Sequence, residues 1–77
     1  MSINVDYMGI LAETAGKPGE IIETNGDKNQ ILETIFEKYP SFRELSFVVS
    51  HNGVLSHGKA EIKKGDRITL IPPAPGG

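Results

Sequence analysis

The sequence contains no cysteine and no tryptophan. Without thiols the chain can form no disulfide or thiolate metal site, and it has no cysteine nucleophile. His51 and His57 are the two histidines, and neither stands beside a clear set of carboxylates. We therefore expect no metal site, and we expect both histidines to lie at exposed strand or turn positions.

An excess of basic charge is also missing. Eight lysines and arginines face ten acidic residues, for a formal net charge of -2. Lys63 and Lys64 are adjacent, but Glu61 precedes them and Asp66 follows. Nucleic-acid binding normally requires a concentrated basic patch, so we expect no nucleic-acid partner.

Long hydrophobic runs are absent as well. The segment 1–6 contains an acid and no base, and no long apolar stretch follows it. This pattern is typical of neither a signal peptide nor a membrane span, so we expect a cytoplasmic protein without membrane association. With 77 residues the chain has the length of a single domain with a small core.

The first part of the chain predicts two strands. Ile3, Val5 and Tyr7 alternate with polar residues, which is the pattern of a half-buried strand. Segment 9–19 contains three glycines and a proline, so we predict a turn or loop around residues 15–19. Segment 20–24 then predicts a second, short strand that pairs with the first as a hairpin.

A helix follows the second strand. Asp27 and Gln30 have the spacing of a capping box, which predicts a helix beginning here. Pro40 predicts its end near Lys38 or Tyr39. Apolar residues at steps of three and four define its buried face. They are Ile31, Leu32, Ile35, Phe36 and Tyr39.

Three further strands complete the predicted fold. Segment 47–49 and the pair 54–55 flank the turn signal Asn52-Gly53, and segment 67–71 follows a turn at 64–66 with Ile68 and Leu70 facing the core. The order β-β-α-β-β-β, with a single helix, predicts an α+β domain. A ubiquitin-like β-grasp fits this order, with a mixed sheet wrapping the helix and the first and last strands parallel. We assign residues 1–71 to this domain and residues 72–77 to a flexible, extended C-terminal tail.

The chain ends in a run of prolines and glycines: Pro72, Pro73, Ala74, Pro75, Gly76 and Gly77. The prolines cannot extend a central sheet ladder and favour the polyproline conformation, in which six residues span roughly 18 Å. Two glycines without side chains fit a narrow channel. The reactive group at such an end is the α-carboxylate, which an acyl-adenylate would activate toward a sulfur or amine nucleophile. An inert, frayed terminus is the alternative.

Residues 62–77 follow a pattern that resembles that of a known protein family. Segment 62–71 supplies an apolar residue, a Gly-Asp turn and a last strand, and Pro72-Pro73 and Gly76-Gly77 follow. Together with a loop rich in Leu, Ala and Gly at 10–16, Tyr39-Pro40 and Asn52-Gly53, this resembles the MoaD/ThiS family of sulfur carriers. Within that family the chain is most similar to the small subunit of molybdopterin synthase. Pro75 departs from the family, which more often has a small, flexible residue there.

The resemblance implies that Gly77 is adenylated by an ATP-using enzyme similar to ubiquitin-activating enzymes and then converted to a thiocarboxylate. A sulfur donor protein would supply the sulfur. The tail, Pro72 to Gly76, would insert into the large subunit of molybdopterin synthase, where sulfur passes to a pyranopterin precursor. On this view the chain is not an enzyme on its own and binds no cofactor, because the partners supply the catalytic groups and use the ATP.

Two residues near the tail have alternative interpretations. Ile71 adjoins the tail and could belong to an apolar docking patch for a partner, with burial in the core as the alternative. Asp66 is interpreted as a turn residue that caps nearby backbone rather than as a catalytic acid. For the whole chain, the alternatives are a carrier for thiamin thiazole or another pathway, a ubiquitin-like protein modifier, and an interaction domain with an inert tail.

Overall fold

A computed structural model describes residues 1–56, 58 and 61–73 of the chain. The first elements are strand β1 (Ser2–Tyr7), helix α1 (Ile10–Ala15) and strand β2 (Gly19–Glu23). Helix α2 (Lys28–Lys38) and a 3₁₀ helix (Pro40–Glu44) follow. The last elements are β3 (Val48–His51), β4 (Val54–Leu55) and β5 (Arg67–Ile71).

The five strands form one mixed sheet in the order β2-β1-β5-β3-β4. Strands β1 and β5 are parallel, with Val5 beside Ile68 and Tyr7 beside Leu70. The pairs β1–β2, β3–β5 and β3–β4 are antiparallel. This order confirms the predicted grasp topology and places the last strand in the centre of the sheet.

Alternation along the strands builds one side of the core. In β1 every second residue is buried, and in β5 both Ile68 and Leu70 are fully buried, as predicted. Helix α2 covers this face with Ile31 and Ile35, and the partly buried Leu32, Phe36 and Tyr39 pack around them. The core therefore lies between the sheet and α2, as in other α+β domains.

The predicted start of α2 is confirmed in detail. The Asp27 side chain accepts a hydrogen bond from the Gln30 backbone N–H, and the Gln30 side chain accepts one from the Asp27 N–H. These two bonds satisfy backbone donors that a helix leaves without partners at its first turn. The helix ends at Lys38, before Pro40, as expected.

The turn predicted around residues 15–19 is confirmed at 16–18, but the loop expected at 10–16 is wrong, because residues 10–15 form helix α1. The helix is short and glycine-flanked, but it fully buries Leu11 in the core and ends at Gly16 in the left-handed conformation. The expectation of a single helix is likewise incomplete. Pro40 begins the 3₁₀ helix, where its missing N–H costs nothing, and Phe42 on this element is fully buried.

The remaining turns follow the sequence signals. Asn52 and Gly53 have φ angles of 50° and 87°, which fit the turn that the Asn-Gly pair predicts between β3 and β4. The third strand starts and ends later than the predicted segment 47–49: Phe47 precedes β3, and the strand continues to His51. No helix within residues 1–56, 58 and 61–73 is long and apolar enough to cross a membrane.

Candidate functional site

The central strand β5 ends in an exposed apolar patch at the point where the tail begins. Ile71, its last residue, is half-buried and pairs in register with Val48, which is 45% exposed. Met8 directly follows β1, and its N–H donates to the Leu70 carbonyl oxygen at 3.2 Å. Alternation places these side chains on the face opposite α2. We call Met8, Val48 and Ile71 the tail-root patch.

The sequence alone indicates only one of these three patch residues. Its two interpretations of Ile71 are a docking patch and burial in the core, and the partial burial of this side chain agrees with neither extreme. Sequence reasoning missed Met8 and Val48, since they lie about 40 residues apart and only the parallel and antiparallel pairings with β5 bring them to its end. The role of the patch stays a prediction.

The first tail residue packs against the opposite end of the chain. Pro72 is half-buried, and its ring lies beside Gly9, which links β1 to α1. Pro73 is exposed. The other tail residues that carry the predicted chemistry, Ala74, Pro75, Gly76 and Gly77, lie outside the described residues. Their assignment, and the division of the chain into residues 1–71 and 72–77, stays a prediction.

A half-buried carboxylate network ties the other side of the domain together. Glu20 on β2 accepts hydrogen bonds from the Tyr7 hydroxyl at 2.8 Å, from the Tyr39 hydroxyl at 2.5 Å and from the Lys38 ammonium. Lys17 approaches the same carboxylate at 3.8 Å. These contacts join β1, β2 and the end of α2.

The contacts in this network change the pKa values of Glu20, Tyr7 and Tyr39. Burial acts to raise the pKa of Glu20, but the hydrogen bonds from Lys38, Tyr39 and Tyr7 outweigh it and lower this pKa to about 2. Burial, together with the hydrogen bond to Glu20, raises the pKa of Tyr39 to about 12 and that of Tyr7 well above its usual range. Glu20 is therefore ionised and fully engaged in the fold.

We expect Glu20 to make folding sensitive to acid. Its folded pKa lies below the unfolded value of 4.5, so its stabilisation is present above pH 4.5 and is lost as the pH falls toward 2. Discounted for solvent screening, this contribution is about 1–2 kcal/mol. Urea unfolding of Glu20→Gln between pH 2 and pH 7 should show a smaller dependence on pH than the unchanged protein.

The control for this measurement is Glu23→Gln, on the same strand. The Glu23 side chain is 74% exposed, so its removal should leave the pH dependence intact. Equal pH dependence in the unchanged protein and in Glu20→Gln would contradict the role given to the network.

A second carboxylate holds the turn before β5. Asp66 accepts a hydrogen bond from the Lys63 N–H at 2.8 Å, which confirms its predicted role as a backbone cap. It also contacts His51 Nε2 at 2.8 Å. The hydrogen bond with His51, followed by that from Lys63, lowers the pKa of Asp66 to about 2. The prediction of an exposed His51 is wrong, since pairing with Asp66 leaves its side chain only 22% exposed. His57 lies outside the described residues.

A cleft of about 520 Å³ opens between the start of α2 and the β3–β4 edge. Lys28 is buried there and donates long hydrogen bonds of 3.3 Å and 3.4 Å to Ser56. Apolar lining comes from Leu32 and Phe47, among others. In the described part of the chain, no group of three or more potential ligands lies close enough together to hold a metal ion.

These features define a class of protein: a ubiquitin-like β-grasp domain whose central last strand leads into its C-terminal segment. The ThiS family model matches residues 5–77, so the chain belongs to the ThiS family. It is a small protein of the sulfur-carrier or ubiquitin-like-modifier type.

Solved structures show the same fold over nearly the whole chain. SAMP1 of Haloferax volcanii is 24% identical, with a TM-score of 0.85 and full coverage of both chains. A putative molybdopterin converting factor subunit 1 of Pyrococcus furiosus is 22% identical, with a TM-score of 0.88 and coverage of 96% of this chain and 99% of that one.

A third structure contains a partner subunit. It is a complex of subunits 1 and 2 of the molybdopterin-converting factor of Helicobacter pylori, 25% identical, with a TM-score of 0.74 and full coverage of both chains. No curated protein matches the chain.

Proposed function

We propose that the chain carries sulfur as a thiocarboxylate on Gly77 and delivers it to a molybdopterin synthase. The observation that carries this proposal is the family match, which continues through the last strand to residue 77. The structure adds that this strand is central in the sheet and ends beside an exposed apolar patch. A rigid strand thus leads directly into the segment that holds the reacting carboxylate.

The proposed chemistry has two steps. A carboxylate oxygen of Gly77 attacks the α-phosphorus of ATP, and pyrophosphate leaves to give an acyl-adenylate. A hydrosulfide then attacks the acyl carbon and AMP leaves with the bonding electrons, which gives the thiocarboxylate and releases one proton. ATP and the sulfur donor belong to the partners, so the chain itself needs no bound cofactor.

The catalytic groups for these steps are proposed to lie on the partners. The two carboxylates of the domain with strongly lowered pKa values, Glu20 and Asp66, are each occupied by hydrogen bonds within the fold. They are ionised at neutral pH and are therefore poor proton donors.

The proposed receiving partner is the large subunit of a molybdopterin synthase. The Helicobacter pylori complex shows that a structurally similar subunit 1 assembles with a subunit 2. In our chain the tail-root patch would bind the rim of that partner while the tail enters its active site. Exposed apolar side chains beside a functional terminus are typical of such docking surfaces.

A reconstituted reaction tests this proposal. The full-length chain is incubated with its cognate activating enzyme, ATP and sulfide, and then with the large subunit and the pyranopterin precursor. We expect intact mass to show one oxygen replaced by sulfur, followed by return to the original mass as the dithiolene product appears. A chain that is charged with sulfur but discharged only by a thiazole synthase would contradict the molybdopterin assignment and support the thiazole alternative.

A protein modifier is the second candidate, favoured by the full-length structural match to SAMP1. It would use the same adenylate but join Gly77 to lysine amines. Digests of cell protein would then contain isopeptides that end in Gly76-Gly77. Their absence under several growth conditions, combined with sulfur transfer in vitro, would exclude this candidate.

A further inference from the structure

Gly9 lies in contact with the first residue of the tail. Its φ and ψ angles of 56° and -129° belong to a region that residues with side chains rarely adopt. A β-carbon built on Gly9 would lie 3.0 Å from Cγ of Pro72 and 3.9 Å from its Cδ. A side chain on residue 9 would therefore press against the proline ring, and the two would have to move apart by a few tenths of an ångström.

The chain around Gly9 is fixed more firmly than Pro72. Four backbone hydrogen bonds hold it: Met8 N–H to Leu70 O, Leu11 N–H to Met8 O, and the N–H groups of Ala12 and Glu13 to Gly9 O, at 3.1 to 3.2 Å. Pro72 has no N–H, and within the described part of the chain no backbone hydrogen bond involves it. A side chain on residue 9 would consequently displace Pro72 rather than the start of α1.

We propose that Gly9 is a positioning residue for the reacting terminus. Its missing side chain lets Pro72 sit against the end of β1, and this contact sets the direction in which the tail leaves the domain. The effect of this direction on the reaction rests on the proposed function. Gly77 follows Pro72 by five residues, or about 15 Å in the polyproline conformation. In a tail that keeps this conformation, a change of direction at Pro72 moves the reacting carboxylate farther than it moves the ring.

Gly16 provides a matched control. It also has a positive φ, of 79°, and it flanks the other end of α1, but no atom lies within 4 Å of the position that a β-carbon on it would take. Gly16→Ala thus also places a side chain at a positive φ without contact to the tail, but in the left-handed helical region, where the backbone strain is smaller than at Gly9. A difference between Gly9→Ala and Gly16→Ala reports the contact with Pro72 together with the larger strain at residue 9, and the same substitution in a Pro72→Ala background separates the two.

The first test measures the direction of the tail without any partner. Residual dipolar couplings of the backbone amides of Ala74, Gly76 and Gly77 report their orientation relative to the domain. We expect Gly9→Ala to change these couplings and Gly16→Ala to leave them as in the unchanged protein. Couplings that are equal in Gly9→Ala and the unchanged protein, or that average to zero in both, would overturn the inference.

The second test measures the consequence for the reaction. With the activating enzyme, ATP and sulfide, Gly9→Ala should lower kcat/KM for thiocarboxylate formation at least about tenfold relative to Gly16→Ala. Adding Pro72→Ala to Gly9→Ala removes the clash and should restore kcat/KM to within about threefold of Pro72→Ala alone.

Together the two tests distinguish a failure of this inference from a failure of the proposed function. A double variant at least about tenfold slower than Pro72→Ala alone would overturn the inference, because the loss would then come from backbone strain at residue 9 and not from contact with the proline ring. If the unchanged protein takes up no sulfur, the proposed function fails, and the dipolar couplings still decide whether Gly9 orients the tail.

Discussion

Deletion of Gly77 is expected to lower the rate of thiocarboxylate formation by at least about 100-fold. The deletion moves the carboxylate back by about 3 Å, and a misplacement of about 1 Å alone can cost about 100-fold in rate. Because the residue follows the end of the last strand, at Ile71, by six positions, the free energy of unfolding should change by less than about 0.5 kcal/mol. Intact mass after timed reaction, together with urea unfolding, measures both quantities.

Lys64→Gln is a suitable control for the deletion, since Lys64 is exposed in the turn before β5. It should be modified at the rate of the unchanged protein. If the chain without Gly77 forms the thiocarboxylate at the rate of the unchanged protein, the exact position of the terminal carboxylate does not matter and the account is contradicted. If the deletion unfolds the protein, the assignment of residue 77 to a tail outside the folded domain is contradicted.

The largest expected loss of stability follows Phe42→Ala. Phe42 is fully buried, stacks on Tyr39 at a centroid distance of 5.1 Å and meets Tyr7 edge-on at 5.5 Å. Removing such a side chain costs about 3–5 kcal/mol. The whole domain is worth only about 4–12 kcal/mol by the usual scale per residue. We therefore expect a largely unfolded or strongly destabilised variant, measured by urea unfolding with circular dichroism.

Phe36→Ala is the matched control for this prediction. Phe36 is only half-buried and packs against Phe47 and Arg43 at the surface. Its removal should cost about 1–2 kcal/mol. Equal losses for the two variants would contradict the placement of Phe42 at the centre of the core.

Local signals in the sequence predict much of the fold. The capping box at Asp27 and Gln30, the Asn52-Gly53 turn and the alternation in β1 each depend on residues within a few positions of one another. Helix α1 escapes sequence-based prediction for the opposite reason. It is six residues long and glycine-flanked, so its stability comes from packing of Leu11 into the core rather than from its own sequence.

The contacts that shape the candidate site could not be predicted in the same way. Glu20 meets Tyr7 and Tyr39 across separations of 13 and 19 residues. Gly9 and Pro72 lie at opposite ends of the chain, and the parallel pairing of β1 with β5 brings them together. No local pattern reports such a contact. The prediction for Gly77, by contrast, comes from the sequence of the tail and from family resemblance, and only the family is confirmed so far.

Locating the transferred sulfur tests the central claim most directly. After reaction with the activating enzyme, ATP and sulfide, trypsin cleavage at Arg67 releases the peptide 68–77. We predict that fragmentation places the single oxygen-to-sulfur exchange on the terminal carboxyl of Gly77. A fully reacted mixture in which this peptide keeps its original mass would contradict the account.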